Sequence, residues 1–229
     1  MSAAEFDAWR DGYEQAVDQS ISFSGLRHDF FLAAKADLLE EIAAERLTGA
    51  RAARVLDVGC GVGRLHPHLR GRFRSIAGCD VSAESIDRAR IENPDLSYAV
   101  SEAGRLPYDD GAFDIATASC VMHHVPPAEW PAFAAELRRV TRPGGLAVVI
   151  EHNPWNPLTR LAVARCPFDK DAVLLAAGTT KRLLAGAGFS ETSACHFLLV
   201  PSARPLARKI ERLFSSAPLG AQYAAIGAA

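Results

Sequence analysis

The spacing of apolar and polar positions changes along the chain, and each change marks an element. Residues 3–20 repeat at helical spacing, with Phe6, Trp9, Tyr13 and Val17 near one face. Residues 27–47 repeat again over a longer stretch, carrying Phe30, Phe31, Ala34, Leu38, Leu39 and Ile42. From Arg54 the period collapses into short, unbroken apolar runs of the kind that a fully buried strand needs. They fall at Val55–Val58, Ser75–Cys79, Leu96–Val100, Phe113–Ala118 and Leu146–Ile150. Helical patterns separate them: one after Gly63 to about Gly71, one opened by Ser82 as an N-cap, and one from about Ala128 to Thr141. The last of these runs into R-P-G-G, a stop signal. Beyond the fifth strand, residues 169–176 and 179–187 read as helices, and G-A-G-F closes the second. A strand at Glu191–Val200, a helix at Arg204–Phe214 and a strand at Ala221–Ile226 complete the pattern. Strand–helix alternation predicts an α/β fold on a mostly parallel sheet. No linker divides the pattern, so residues 1–229 form a single domain, with a helical layer at 1–48 in front of a core at 50–229.

Composition narrows the partners more than the fold. The chain has 229 residues, 49% of them hydrophobic, which is enough for one α/β domain with a substantial core. The formal net charge is -2, without a dense basic stripe, which argues against nucleic acid as the main partner. Cys60, Cys79, Cys120, Cys166 and Cys195 are scattered and form no C-x-x-C, as in a reducing, cytoplasmic setting without a disulfide framework. The start, M-S-A-A-E-F-D-A-W-R-D, has no apolar signal core. No apolar run approaches the ~18 residues of a membrane span.

Chemistry concentrates first in Arg54 to Gly63, R-V-L-D-V-G-C-G-V-G. A buried strand ends near Asp57, and Gly59, Gly61 and Gly63 follow at alternate positions before a helix. Glycine lets backbone approach a bulky ligand, and a helix start offers free N–H groups. The spacing is G-x-G-x-G, whereas a dinucleotide fingerprint is G-x-G-x-x-G. A carboxylate two residues before the first glycine suits a ligand with a positive charge, such as the ammonium of an amino acid. Asp80 closes the second strand, where a carboxylate can hold a ribose diol.

Together these residues resemble motif I and its acidic partner in the class I S-adenosylmethionine-dependent methyltransferases. L-P-Y-D-D-G-A-F-D, between the third and fourth strands, resembles the same family. The resemblance covers roughly residues 50–150 and implies a Rossmann-like sheet in the order 3-2-1-4-5-7-6, with the last strand antiparallel. It implies S-adenosylmethionine as cofactor: Asp57, Gly59, Gly61 and Gly63 at its methionine part, Asp80 at the ribose and Val81 against the adenine. Glu102 and Ala103 would line the adenine edge, with Glu102 standing where the family usually has Asp, and Ser119 and Cys120 would lie beside the sulfonium. The helical layer resembles the one this class places over its pocket, which makes Tyr13 a candidate at the substrate.

The acceptor side has fewer signals. His123 and His124 are adjacent, so at most one points inward; His123 is a candidate base, and His124 is either a substrate contact or a structural residue. Glu151-His152-Asn153-Pro154-Trp155-Asn156-Pro157 packs polar, aromatic and rigid residues at the mouth of strand five. Proline stiffens a loop, and histidine is the side chain whose charge ordinarily changes near neutral pH. His152 is therefore the first candidate for a catalytic base, with Asn153 and Trp155 as a substrate wall. No His-x-x-x-His or cysteine cluster suggests a metal. The expected activity is methyl transfer to a small molecule, at oxygen ahead of carbon or nitrogen. A nicotinamide-dependent Rossmann oxidoreductase and a non-catalytic S-adenosylmethionine-binding protein remain as alternatives.

Overall fold

The computed structural model describes residues 13–102, 104–199 and 213–229. Helix α1 (Tyr13–Ser20) and helix α2 (His28–Arg46) precede strand β1 (Arg54–Val58). Then come α3 (His66–Leu69), β2 (Ser75–Asp80), α4 (Ala83–Glu92), β3 (Ser97–Val100) and β4 (Phe113–Ser119). Helix α5 (Trp130–Val140) leads directly into β5 (Thr141–His152). Helices α6 (Pro157–Arg165) and α7 (Ala177–Gly186) precede a final pair of strands, β6 (Ser190–Phe197) and β7 (Gln222–Ala228). The seven strands form one sheet in the order β3-β2-β1-β4-β5-β7-β6. Pairing is parallel except at β7, which runs antiparallel to both neighbours.

Helices cover both faces of this sheet, and so its strands are apolar at consecutive positions rather than at alternate ones. Along β5, Leu146, Val148 and Ile150 enter one core while Ala147 and Val149 enter the other. The first core is closed by α2 through Ala36, Leu39, Ile42 and Ala43. The second is closed by Leu137 and Val140 of α5 and Leu184 of α7. Helix α2 thus packs on the sheet, as its long apolar stripe requires. Strand β1 lies between β2 and β4, so the sheet changes direction there, and a crevice opens at the carboxyl ends of β1 and β4.

Most expected elements are present, and three differ. The helix after Gly63 is only four residues long, with Pro67 in its first turn. No helix spans 169–176: residues 172–176 have no regular structure, and Val173 N–H donates to His123 O at 2.8 Å instead of to its own segment. A helix stands earlier, at α6, because Asn156 caps it by accepting from the Leu158 and Thr159 N–H groups, with Pro157 in the first turn. The same Asn-Pro pair had read as part of a rigid loop. The expected helix at 204–214 lies largely outside the described residues, as does the first part of the helix expected over 3–20.

Candidate active site

The glycine loop does three different things with its three glycines, all of which have positive φ. A Cβ on Gly59 would lie 2.5 Å from Val121 Cγ2, so this glycine lets the loop after β1 close against the loop after β4. A Cβ on Gly63 would lie 2.7 Å from the Tyr98 hydroxyl, so this one makes room for a polar group beneath the loop. Only Gly61 faces open space, with no atom within 4 Å of an added Cβ. It is the position where a ligand can approach the backbone.

Asp57 lies under that loop, 3% exposed. Its Oδ2 is 3.1 Å from His66 Nε2, and His66 Nδ1 is 2.6 Å from the Tyr98 hydroxyl. Burial pushes the Tyr98 phenol well above its ordinary range, so it remains a donor. With Tyr98 donating to Nδ1, His66 donates from Nε2 to the carboxylate. Asp80 joins the two loops: Oδ2 accepts from Gly61 N–H and Oδ1 from Ser82 N–H, both at 2.9 Å. Burial raises its pKa, and these amide bonds oppose that. Val81 beside it is 47% exposed, an apolar surface open to a flat ring. Glu102 is exposed on the turn after β3, and Ala103 lies outside the described residues.

A second polar network lies at the ends of β4 and β5, where the acceptor was expected. Ser119 is half-buried at the end of β4. Cys120 follows in the left-handed region at φ 58°, a rare place for a residue with a Cβ. Its Sγ accepts from Lys35 Nζ at 3.2 Å and lies 3.5 Å from Gln222 Nε2. Burial pushes the Cys120 thiol up, but the Lys35 ammonium and then His152 outweigh it and bring the pKa to about 6. Glu151, 1% exposed, accepts from the Val121 and Met122 N–H groups at 3.0 and 2.7 Å. Its other oxygen holds His123 Nδ1 at 2.6 Å. His123 Nε2 and His124 Nε2 approach Asp169 Oδ1 at 3.5 and 3.3 Å. Burial lowers the His123 pKa, but Glu151 and Asp169 overcome this and hold it at about 10. His123 therefore carries its proton at neutral pH and is not free to take another.

His152 stands at the end of β5, half-buried, with its ring 5.1 Å from that of His123. Among the described residues no carboxylate pairs with it; its Nδ1 is 3.5 Å from Gln222 Nε2. Asn153 is 1% exposed, and its amide is spent on structure: Nδ2 donates to the Pro218 and Gly220 carbonyls, and Oδ1 accepts from Trp155 N–H. Trp155 is 71% exposed and neither fills the core nor walls a buried pocket. The Tyr13 side chain lies outside the described residues. The structure thus brings together Cys120, His123, His124 and His152, and leaves the Trp155 side chain largely exposed.

Four members of this network were not among the expected site residues. Glu151 was read only as part of its loop, and Asp169 only as part of a helix. Lys35 did leave a signal, since it falls on the apolar face of α2 with Leu39 and Ile42 and is 6% exposed. Gln222 opens the last strand and left none.

A sheet in this order, with a bare glycine facing the crevice at its switch point, is that of the class I S-adenosylmethionine-dependent methyltransferases. Residues 56–149 match the family described as the methyltransferase domain. The chain is 39% identical over 110 residues to a demethylmenaquinone methyltransferase of Beutenbergia cavernae, which covers 47% of this chain and 45% of the relative. It is 31% identical over 137 residues to a malonyl-(acyl-carrier protein) O-methyltransferase of Serratia marcescens, covering 58% and 51%. The chain spans about half the length of these curated relatives. Among solved structures it is similar to a S-adenosylmethionine-dependent methyltransferase of Thermotoga maritima, described as a possible histamine N-methyltransferase. That likeness has a TM-score of 0.62 at 21% identity and covers 87% of this chain and 92% of the other. Among the described residues no helix is long and apolar enough to cross a membrane.

The residues present fit the methyl donor of this class. The open face of Gly61, the Asp80 carboxylate between the two loops and the exposed Val81 lie side by side, as an adenosyl group requires.

Proposed function

We propose that this protein transfers the methyl group of S-adenosylmethionine to a hydroxyl oxygen of a small molecule. The observation that carries the choice of acceptor is a buried oxygen with no partner. Gln222 is 6% exposed, its Nε2 faces Cys120 and His152, and its Oε1 has no hydrogen bond among the described residues. A buried acceptor left unpaired costs roughly 1–3 kcal/mol, so a bound donor that this side chain turns to meet is favoured. A hydroxyl or an amine supplies one, and a hydroxyl must also lose its proton, which His152 beside Gln222 is placed to take.

S-adenosylmethionine supplies a methyl group already activated on a sulfonium, so the chain has only to bind, align and remove a proton. Gly61 and Asp80 would hold the cofactor, with Val81 against the adenine. Gln222 would turn its Oε1 to the hydroxyl. The cofactor would supply its methyl carbon to the acceptor oxygen, with the electron pair of the broken carbon–sulfur bond left on sulfur. The hydroxyl proton leaves to His152, which is half-buried at the end of β5 and, among the described residues, has no carboxylate partner. His123 is fixed by Glu151 and acts on the others by position.

The similar proteins include an O-methyltransferase and a possible N-methyltransferase, and methylation at carbon or nitrogen is the alternative. Incubation with methyl-labelled S-adenosylmethionine and a panel of small hydroxyl, amine and activated-carbon compounds separates the readings. The expected label is in an O-methyl product, and His152→Ala lowers kcat by about 100-fold with cofactor affinity kept. Label at nitrogen or carbon only, or a fully active His152→Ala enzyme, would overturn this reading.

A further inference from the structure

We infer that His123, His152 and Asp169 form a site for a divalent transition-metal ion, zinc first, on the acceptor side of the cleft. The three come from separate loops: the turn Met122–His124 after β4, the end of β5, and the turn Pro167–Asp169. No spacing in the sequence announces them. Each offers one ligand atom, and these atoms all lie within 4.8 Å of one another. Bonds of about 2.1 Å at the tetrahedral angle put two ligand atoms about 3.4 Å apart. His123 Nε2 and Asp169 Oδ1 stand at 3.5 Å, too far for a good hydrogen bond and close to that edge.

The surroundings are those of a metal ligand set. Glu151 holds His123 Nδ1 at 2.6 Å, which turns Nε2 toward Asp169. A carboxylate on the far nitrogen of a ligating histidine fixes its orientation and strengthens it as a ligand. Glu151 is itself held by two backbone amides, so the support is rigid. Charge points the same way. Two buried carboxylates, Glu151 and Asp169, flank the His123 imidazole, and an ion at Nε2 takes the place of the proton His123 holds there. Two imidazoles and one carboxylate suit zinc or iron rather than magnesium or calcium, and three protein ligands leave one position open. His152, half-buried, marks the side on which the site opens. The inference rests on the acceptor-site reading above and gives the network its means: an ion that lowers the pKa of a nearby hydroxyl. With the ion bound, His152 would hold it and the hydroxyl would lose its proton to water; in the metal-free protein His152 takes that proton, as proposed above.

The test uses untagged, chelator-dialysed full-length protein titrated with Co2+ and read by its visible d–d absorption. The expected result is about one equivalent bound with the intense bands of a four- or five-coordinate site, displaced by Zn2+ and not by Mg2+. His152→Ala and Asp169→Asn should each abolish those bands while S-adenosylhomocysteine binding, measured by calorimetry, reports that the fold is kept. Only the spectrum of the free ion in the wild-type protein, or unchanged bands in both variants, would overturn the site. If the wild type binds no metal and His152→Ala still loses turnover, the methyltransferase reading stands with His152 as base, and the metal site falls.

Discussion

At the scale of single residues, the three loop glycines are equal in sequence and unequal in structure. Gly61 meets open space, and Gly63 meets the Tyr98 hydroxyl that serves His66 and, through it, Asp57. A Cβ in the left-handed region costs roughly 1–2 kcal/mol by itself. Gly61→Ala should therefore lower Tm by only about 2–8 °C, while cofactor affinity falls because the methyl group occupies the ligand's side of the loop. Gly63→Ala adds a clash in a buried polar network, and its Tm should fall further, by about 6–12 °C. Thermal melts of the two variants without ligand check the ranking; a Gly61→Ala melt as low as that of Gly63→Ala would refute it. The motif could be read from sequence because its residue types are dictated by backbone geometry. The division of labour could not, because it depends on Val121 and Tyr98, which arrive from β4 and β3. The same holds for the acceptor site. His123 and His152 were visible as titratable residues at strand ends, whereas Lys35, Asp169 and Gln222 join them only through the tertiary fold.

At the scale of elements, strand boundaries were legible wherever both faces are buried, because unbroken apolar runs are what such strands require. The boundary that failed to show is the start of β5. It begins at Thr141, ahead of the apolar run, because a shift in register between Phe113 and Ile115 absorbs R-P-G-G into the ladder. Asp114 secures this corner. It accepts from Arg54 N–H at 2.8 Å and from the side chains of Arg54 and Arg142, so it ties the start of β1 to β4 and β5. Burial raises its pKa, but the Arg142 and Arg54 bonds outweigh that and leave it below the ordinary carboxylate value. A depressed folded-state pKa means stability that is present above the unfolded pKa and lost as pH falls through the folded one. Asp114→Asn should lower Tm by about 3–12 °C at pH 7, taking hydrogen bonds to a charged group at roughly 1.5–3 kcal/mol. The gap from wild type should close as the pH falls below about 4. Melts across pH 3 to 7 measure it, and a gap independent of pH would show that the carboxylate charge contributes nothing. The 169–176 segment teaches the converse: its alanines and leucines favour a helix, but its backbone bonds to the His123 carbonyl, a partner that no local pattern reveals.

For the whole molecule, the sheet order fixes what meets what. Because β1 lies between β2 and β4, the loops after these three strands converge, and Gly59 against Val121 sets how closely. One side of that contact carries Gly61, Asp80 and Val81; the other carries Cys120, Glu151 and the histidines. Methyl transfer needs such an arrangement, with a cofactor cleft and a polar acceptor site joined at the switch point. The resemblance, carried in its motifs by roughly residues 50–150 and beyond them by architecture, was enough to forecast this sheet order. Calorimetric titration of S-adenosylhomocysteine into the wild-type protein and Asp80→Ala, with NAD as the control ligand, tests this account most directly. The predicted result is one site for S-adenosylhomocysteine, none for NAD, and an affinity about 10–100-fold weaker in the variant. No binding of S-adenosylhomocysteine, or a Kd for Asp80→Ala within about twofold of wild type, would contradict it.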